Sequence, residues 1–477
     1  MLSSYPFRIG LFGIGLKAYW PQFQGLQQRL EGYVKTVADK MAQPGVEVVS
    51  LGLIDSPEAA LAAGHQFRRE DVEVIFLYVT TYALSSTVLP VVRRAKVPVI
   101  ILNFQPTAAL DYASFNRLED RTQMTGEWLA YCSSCPVPEI ANVFRRTGIE
   151  FHQVTGALQE DAESWKEVHQ WIDAARVVHI MAHNRLGLMG HYYNGMLDVA
   201  TDLTRQAATF GGHMEFIEVE ELVVLRQEVT AKETIDRVGH FPEVFDVQSD
   251  CKEEELVRAA RTSLALEELV RGKDLGSLAY YHMGRGCAEI EEVMTSVIVG
   301  NTLLTARGIP IAGEYEIKNV QAMKVLDSLG AGGSFTEFYA MDFSDDMVLM
   351  GHDGPGHIAI ASEKCKVRPL GVYHGKVGQG LSVEMAVRAG PVTLLSVVED
   401  PEGTLFFLVA EGESVAGPIL EIGNTNSRYR FPIGARSFIN SWNSHGPAHH
   451  CAVGVGHIAD KLEKVAALLS IRLIKIC

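Results

Sequence analysis

The sequence is short of positive charge. Its 42 Lys and Arg stand against 58 Asp and Glu, a formal net charge of −16. A nucleic-acid binder needs a basic footprint, so the balance argues against that class and fits a small neutral or cationic ligand. Long apolar runs are also scarce. The one stretch near membrane-spanning length is VIFLYVTTYALSSTVLPVV, Val74 to Val92. It carries several Thr and Ser, and Pro90 lies near its end. The run VEVIFLYVT is β-branched and aromatic, which reads as a buried parallel strand leading to a loop and a helix. The opening MLSSYPFRIG lacks a basic region followed by a long apolar one, so no secretory leader and no membrane association are expected. Cysteine is limited to seven residues, an odd number in 477. That is no disulfide scaffold, and a reducing cytoplasm is the expected compartment.

Familiar motifs are missing as well. There is no Walker A and no GxSxG pattern. GLFGIG at 10–15 is not a dinucleotide fingerprint, because its third glycine is misplaced, and it reads as a close strand-to-helix turn. The CSSC at 132–135 has no second CxxC and is followed by Pro136. It reads as two buried structural cysteines rather than a redox pair or half a zinc site.

What is present is an alternating pattern. FRIGLFGIG, VEVVSLGLI, VEVIFLYVT, VPVIILNFQ and IEFHQVTG read as strands. Helical segments lie between them, such as SPEAALAAGHQFRRED with Ser56 as cap. After the helix DAESWKEVHQWIDAAR comes a second α/β series, with VVHIMAH, MEFIEVEEL, LGSLAYYHM and the helices KEEELVRAARTSLALEELVRG and EIEEVMTSVIVGNTLLTARG. Beyond about residue 340 short strand-like runs, among them PLGVYHG, follow one another between glycine turns, with helix signals scarce until HIADKLEKVAALL. The expected fold is therefore two doubly wound, Rossmann-like α/β domains followed by a β-rich, barrel-like domain. The expected boundaries are 1–175, 176–330 and 331–477. A chain of this length exceeds one ordinary core.

Chemistry-bearing residues gather late. His352, His357, His374, His445, His449, His450 and His457 lie within the C-terminal third. Upstream, GEYEIKNVQAMKVLDSLGAGGSFTEFY holds Glu314, then Glu337 among Phe335, Phe338 and Tyr339. A carboxylate among aromatic rings is costly to bury without a positive partner. Two carboxylates with two imidazoles suit a divalent cation such as Mn²⁺ or Co²⁺. Phe335, Tyr339 and Tyr281 are candidate pocket walls.

Four segments, AGEYEIK, SFTEFY, MVLMGHDG and GPAHH, together resemble the C-terminal half of the L-arabinose isomerases and, more loosely, the L-fucose isomerases. In order, separation and three-part texture the resemblance covers almost the whole chain. It implies a metal-dependent aldose–ketose isomerase acting through an enediolate. It places Mn²⁺ (or Co²⁺ or Mg²⁺) on Glu314, Glu337, His352 and His450, with His449 beside them as a sugar contact. Glu314 and Glu337 are then the catalytic pair. It also implies a homo-oligomer, a trimer or hexamer, with active sites near subunit boundaries. The departures lie where the sugar would be read. The family's Gln-bearing segment near the N-terminus corresponds to GIGLKAYWPQ, with Leu16 and Lys17 near that Gln. Its HGGREF segment is replaced by CSSCPVPEI, and an acid has become Phe338. The substrate expected is an aldose other than L-arabinose. A non-catalytic sugar-binding or sensing protein on the same scaffold is the alternative, and bound Mn²⁺ would separate the two.

Overall fold

The computed structural model describes residues 5–283, 286–371 and 378–477. His374 and most of PLGVYHG fall outside these residues. The chain divides into two compact units, Tyr5–His179 and Ile180–Cys477.

In the first unit five strands, β1 (Arg8–Ile14), β2 (Glu47–Ile54), β3 (Val74–Tyr78), β4 (Val99–Gln105) and β5 (Phe151–Ala157), form a parallel sheet in the order β2-β1-β3-β4-β5. Each crossover carries helix, as parallel pairing requires. The switch in strand order falls between β1 and β3. Every residue of β3 is buried, which is why VIFLY has no polar alternation. The uncharged run that β3 opens breaks after Tyr78 and re-forms as the helix Leu89–Ala95. Among the described residues no helix is long and apolar enough to cross a membrane. Gly13 of GLFGIG is required by packing, since an added Cβ would lie 2.4 Å from Val34 on the helix Leu26–Met41. Ser56 caps the helix Pro57–Arg69 by accepting the Ala59 amide at 3.3 Å. Of the CSSC cysteines, both expected to be buried, Cys132 is buried and Cys135, just before Pro136, is exposed.

The second unit begins with β6 (Arg185–Gly190) and β7 (His213–Ile217), then the two-residue β8 (Asp246–Val247), then β9 (Ser277–Tyr281) and β10 (Ile311–Ala312). Four of these form a parallel sheet ordered β10-β9-β6-β7. The stretch EIEEVMTSVIVGNTLLTARG, expected to be one helix, is two: Ala288–Met294 and Ile298–Thr305. The Thr295 and Ser296 hydroxyls bond the carbonyls of Glu291 and of Glu292 and Val293, competing with helical continuation at the break.

The rest is a barrel. Its strands are β11 (Gly332–Asp342), β12 (Met347–His352), β15 (Gly390–Glu399), β16 (Leu405–Val415), β17 (Thr425–Arg430) and β18 (His450–Val455). They pair in the circuit β15-β18-β11-β12-β17-β16, and β16 returns to β15, so the sheet closes on itself. Every pairing in the circuit is antiparallel. Closure removes the edges that an open sheet would expose. β19 (Leu473–Lys475) adds in parallel to β16, while β13 (Lys366–Pro369) and β14 (Leu381–Glu384) join β8 in a small separate sheet. A helix that sequence reading missed, Ala435–Asn443, buries Ala435, Phe438 and Trp442 into the barrel core. Its start is fixed from afar, by Asp346 accepting the Ala435 amide at 2.8 Å.

Between sheet and barrel runs the helix Ile317–Ser328. Its first ten residues are all buried, including Lys318, Asn319, Gln321 and Lys324. It packs on β11, β18 and β15, and it touches β9 and β10. Its N-terminal approach carries Glu314 and Glu316.

Candidate metal centre

The chain turns sharply after β10. Glu314 (φ 57°) and Tyr315 (φ 60°) both lie in the left-handed region, which is costly for residues with a Cβ. The turn is held by backbone bonds from Tyr315 to the Tyr280 carbonyl (3.0 Å), from Glu316 to Gly313 (3.0 Å) and from Tyr193 to Glu314 (3.4 Å). Glu316 flanks the helix that follows, yet its side chain caps no amide there.

Strand register brings in the other groups. On β11, Glu337 lies opposite Gly351 of β12 on one side and His450 of β18 on the other. Gly351 admits no side chain, since a Cβ would stand 1.9 Å from the Thr425 carbonyl oxygen. His352 follows at the end of β12, its backbone N–H donating to the Thr425 hydroxyl at 3.1 Å.

Both imidazoles are buried, His352 at 8% and His450 at 1% exposure. His352 donates Nδ1–H to the Asp353 carbonyl at 2.8 Å. His450 turns Nδ1 to the Glu316 carboxyl. With both outer nitrogens engaged, the two Nε2 atoms face each other at 3.1 Å. Glu314 completes the cluster, Oε1 lying 3.9 Å from His352 Nε2 and Oε2 lying 3.4 Å from His450 Nε2. Ligand atoms of Glu337, His352 and His450 lie within 4.8 Å of one another, as do those of Glu314, His449 and His450.

Burial governs the protonation of the rings. It lowers His352 to about 3 and His450 to about 3, so both are neutral near pH 7. For His449 burial pulls the same way, but Glu314 and Asp198 outweigh it and raise the ring to about 9. Burial works against ionising Glu314 as well. The attraction of His449, with His450 and His352, overcomes it and holds Glu314 below the usual carboxylate value.

A cavity of about 1070 Å³ opens above the cluster. Glu314, Glu337, His352 and His449 face it, and Tyr193, Tyr281 and Tyr339 contribute to its wall. Phe335 does not line it. That ring, 1% exposed, packs behind the imidazoles with its centroid 4.4 Å from both His352 and His450. Its strand position points it into the core, so it supports ligands rather than sugar. Leu16 and Lys17 belong to the Tyr5–His179 unit, at the short turn after β1, half-buried and exposed respectively. His357, His445 and His457 join no metal-sized group among the described residues.

Three partners were not anticipated. Glu316 sits two residues beyond Glu314, and its helix-flanking position was the available signal. Asp198 accepts both the His449 amide (3.0 Å) and the ring Nδ1–H (2.6 Å), from a loop with no motif. Asn424 donates to the Tyr339 hydroxyl (2.7 Å) and to Asp353 (2.9 Å), tying the cavity wall to the loop after His352.

These side chains fit a divalent cation. The Nδ1–H bond of His352 to the Asp353 carbonyl leaves its Nε2 lone pair aimed at His450 Nε2, 3.1 Å away, a pair of ring nitrogens placed to share a cation. Glu314 Oε2 is buried, and the groups facing it are the Nε2 atoms of His449 at 3.6 Å and His450 at 3.4 Å, long for hydrogen bonds. Oxygen and imidazole ligands together, without thiolate, suit Mn²⁺, Co²⁺ or Mg²⁺ more than a structural zinc.

No protein-family model matches the chain. Over 295 residues it is 21% identical to a sulfoquinovose isomerase of Alkalicoccus urumqiensis, a stretch covering 61% of this chain and 64% of that protein. The match thus spans less than two thirds of the relative's length. Among solved structures, the apo-structure of D-lactate dehydrogenase from Escherichia coli shares 11% identity over 68% of this chain and 94% of that one, with a TM-score of 0.15. A likeness at that score carries no argument.

Proposed function

We propose that the protein is a divalent-metal-dependent aldose–ketose isomerase acting on a sugar other than L-arabinose. The observation that carries this reading is the placement of Glu314 and Glu337 around the facing Nε2 atoms of His352 and His450, beside an open cavity of about 1070 Å³. The distant relative, an isomerase of a sugar by its name, supports the same class.

Isomerisation moves a proton from C2 of an aldose to C1 of the ketose. A divalent cation held by Glu314, Glu337, His352 and His450 would supply Lewis-acid charge at the neighbouring substrate oxygens. The proton work falls to the two carboxylates. One takes the proton at carbon and returns it to the adjacent carbon, while the other manages the hydroxyl proton. His449 is fixed by its two bonds to Asp198, with Nε2 3.6 Å from Glu314 Oε2, and offers a polar contact to a sugar oxygen beside that carboxylate. The tyrosine wall limits water at the reacting carbons.

Ketose formation from a panel of pentoses, hexoses and deoxy sugars with Mn²⁺ tests the reading. Turnover of at least one aldose is expected, with L-arabinose not the best substrate. Bound metal without ketose from any sugar would favour the sugar-sensing alternative. A homo-oligomer is part of the proposal, and light scattering that shows a fully active monomer would count against it.

A further inference from the structure

Between β16 and β17 the chain runs as a loop, residues 416–424, and two of its side chains, Leu420 and Ile422, line the cavity beside the metal cluster. They are 46% and 61% exposed. An exposed aliphatic residue is ordinary in itself. These two stand on a loop that is tied down beneath them. Asn426, 1% exposed, clamps Leu420 with both ends of its amide. Its Oδ1 accepts the Leu420 N–H at 2.9 Å, and its Nδ2 donates to the Leu420 carbonyl at 2.8 Å. The buried carboxylate of Glu384, on β14, accepts the Gly423 amide at 3.1 Å. The root of the loop is fixed as well, since Thr425 lies opposite His352 in the β12–β17 register. A loop held in this way is a preorganised wall.

The polar side chain that the loop adds to the cavity wall is Asn424, and it is spent inward. Its Nδ2 donates to the Tyr339 hydroxyl at 2.7 Å and to Asp353 at 2.9 Å, and its Oδ1 accepts from Asn426 at 3.3 Å. The loop therefore offers the cavity aliphatic carbon. A hydroxyl pressed against that surface gives up water and finds no side-chain partner in return. A methyl group gives up nothing and gains the apolar contact.

We propose that Leu420 and Ile422 determine specificity by taking an aliphatic end of the sugar, with Asn426 as the residue that positions them. The proposal rests on the isomerase reading for which end lies where. C1 and C2 are held at Glu314, Glu337, His352 and His450, so the loop meets the carbons beyond them. It selects a terminal methyl over a terminal hydroxymethyl.

Reduced sugars separate this proposal from the isomerase reading, because an alditol binds without reacting. The full-length protein loaded with Mn²⁺ is titrated calorimetrically with hexitols, each beside its 6-deoxy counterpart. A closed apolar wall discriminates one small group by roughly 10–200-fold, and at this half-open one about tenfold tighter binding is expected of at least one 6-deoxy alditol. Leu420→Ser, at an exposed position, should abolish that preference and leave Mn²⁺ affinity as it was. Asn426→Ala keeps both aliphatic side chains, frees the loop and should weaken the preference as well. No ketose from any aldose, beside a preference that Leu420→Ser abolishes, would sink the isomerase reading and leave the role of the loop standing. Equal affinity within every pair overturns the proposal, as does the absence of binding by any alditol. It is equally overturned if Leu420→Ser keeps the preference and instead dissociates the protein in light scattering, because the loop is then a subunit contact.

Discussion

An acid stands ahead of a long helix in each unit, and the two are used in opposite ways. Asp161 precedes the helix Ala162–Ala182, and its oxygens accept the amides of Ala157 at 2.9 Å and Ser164 at 3.1 Å. Those backbone donors hold its carboxyl below the usual aspartate value. Glu316 precedes the helix Ile317–Ser328, caps nothing and turns to His450. Burial pushes its carboxyl well above the usual value. Two residues earlier, in a left-handed turn, the buried oxygen of Glu314 faces the His449 and His450 rings at 3.6 and 3.4 Å and no backbone amide is bonded to it. The first acid serves the fold, its lone pairs taken by local amides. The second region leaves local needs unmet and hands its lone pairs to imidazoles. Departures of that kind from local consistency are expected where chemistry is done.

The comparison breaks first at the carboxylates. Glu314→Gln and Glu337→Gln should each lower kcat by ~10²–10⁴-fold, the usual cost of losing a general acid or base. For Glu314→Gln, thermal melting should change little, because the partners of that carboxylate are the site's own imidazoles rather than helix amides as for Asp161. Retention of more than about a tenth of the original kcat would remove that residue from the mechanism.

A smaller effect sharpens the role of Glu316. Glu316→Gln keeps the shape but removes the carboxyl that orients His450. Metal affinity should fall by about 10–100-fold, read by calorimetric titration with Mn²⁺. An unchanged affinity would make Glu316 a structural group only.

Asp161→Ala provides the contrast. It should cost about 1 kcal/mol in urea unfolding, as a lost helix cap does, and leave kcat and KM as they were. The sign with pH follows from the lowered carboxyl. Its stabilisation is complete above the ordinary aspartate value and is lost as pH falls through the depressed one. The substituted protein should therefore lose less stability on acidification. An activity loss as large as that of Glu337→Gln would dissolve the distinction between the two regions.

Much of this was legible in the sequence. The five strands of the first unit announce themselves as apolar runs between helical patterns. Glu314, Glu337, His352 and His450 sit in short motifs at glycine turns; barrel register brings the last three together, and the turn after β10 delivers Glu314. The rest depended on distant pairing. Asp198 reaches His449 across 251 residues. Phe335 looked like a pocket wall, but β11 carries it behind the rings. Thr295 and Ser296 break a helix through hydroxyl bonds that composition does not reveal. The helix Ala435–Asn443 has a three-residue apolar stripe, too short to announce itself without the barrel core it fills.

The most direct test of the account is removal and return of the metal. The protein is stripped with a chelator, Mn²⁺ is added back, and bound metal and ketose formation are measured on the same samples. The account predicts no turnover in the stripped protein, recovery in step with one bound ion per chain, and failure of Glu337→Gln to recover. Full turnover in the stripped protein, or recovery unaffected by loss of Glu337, would contradict it.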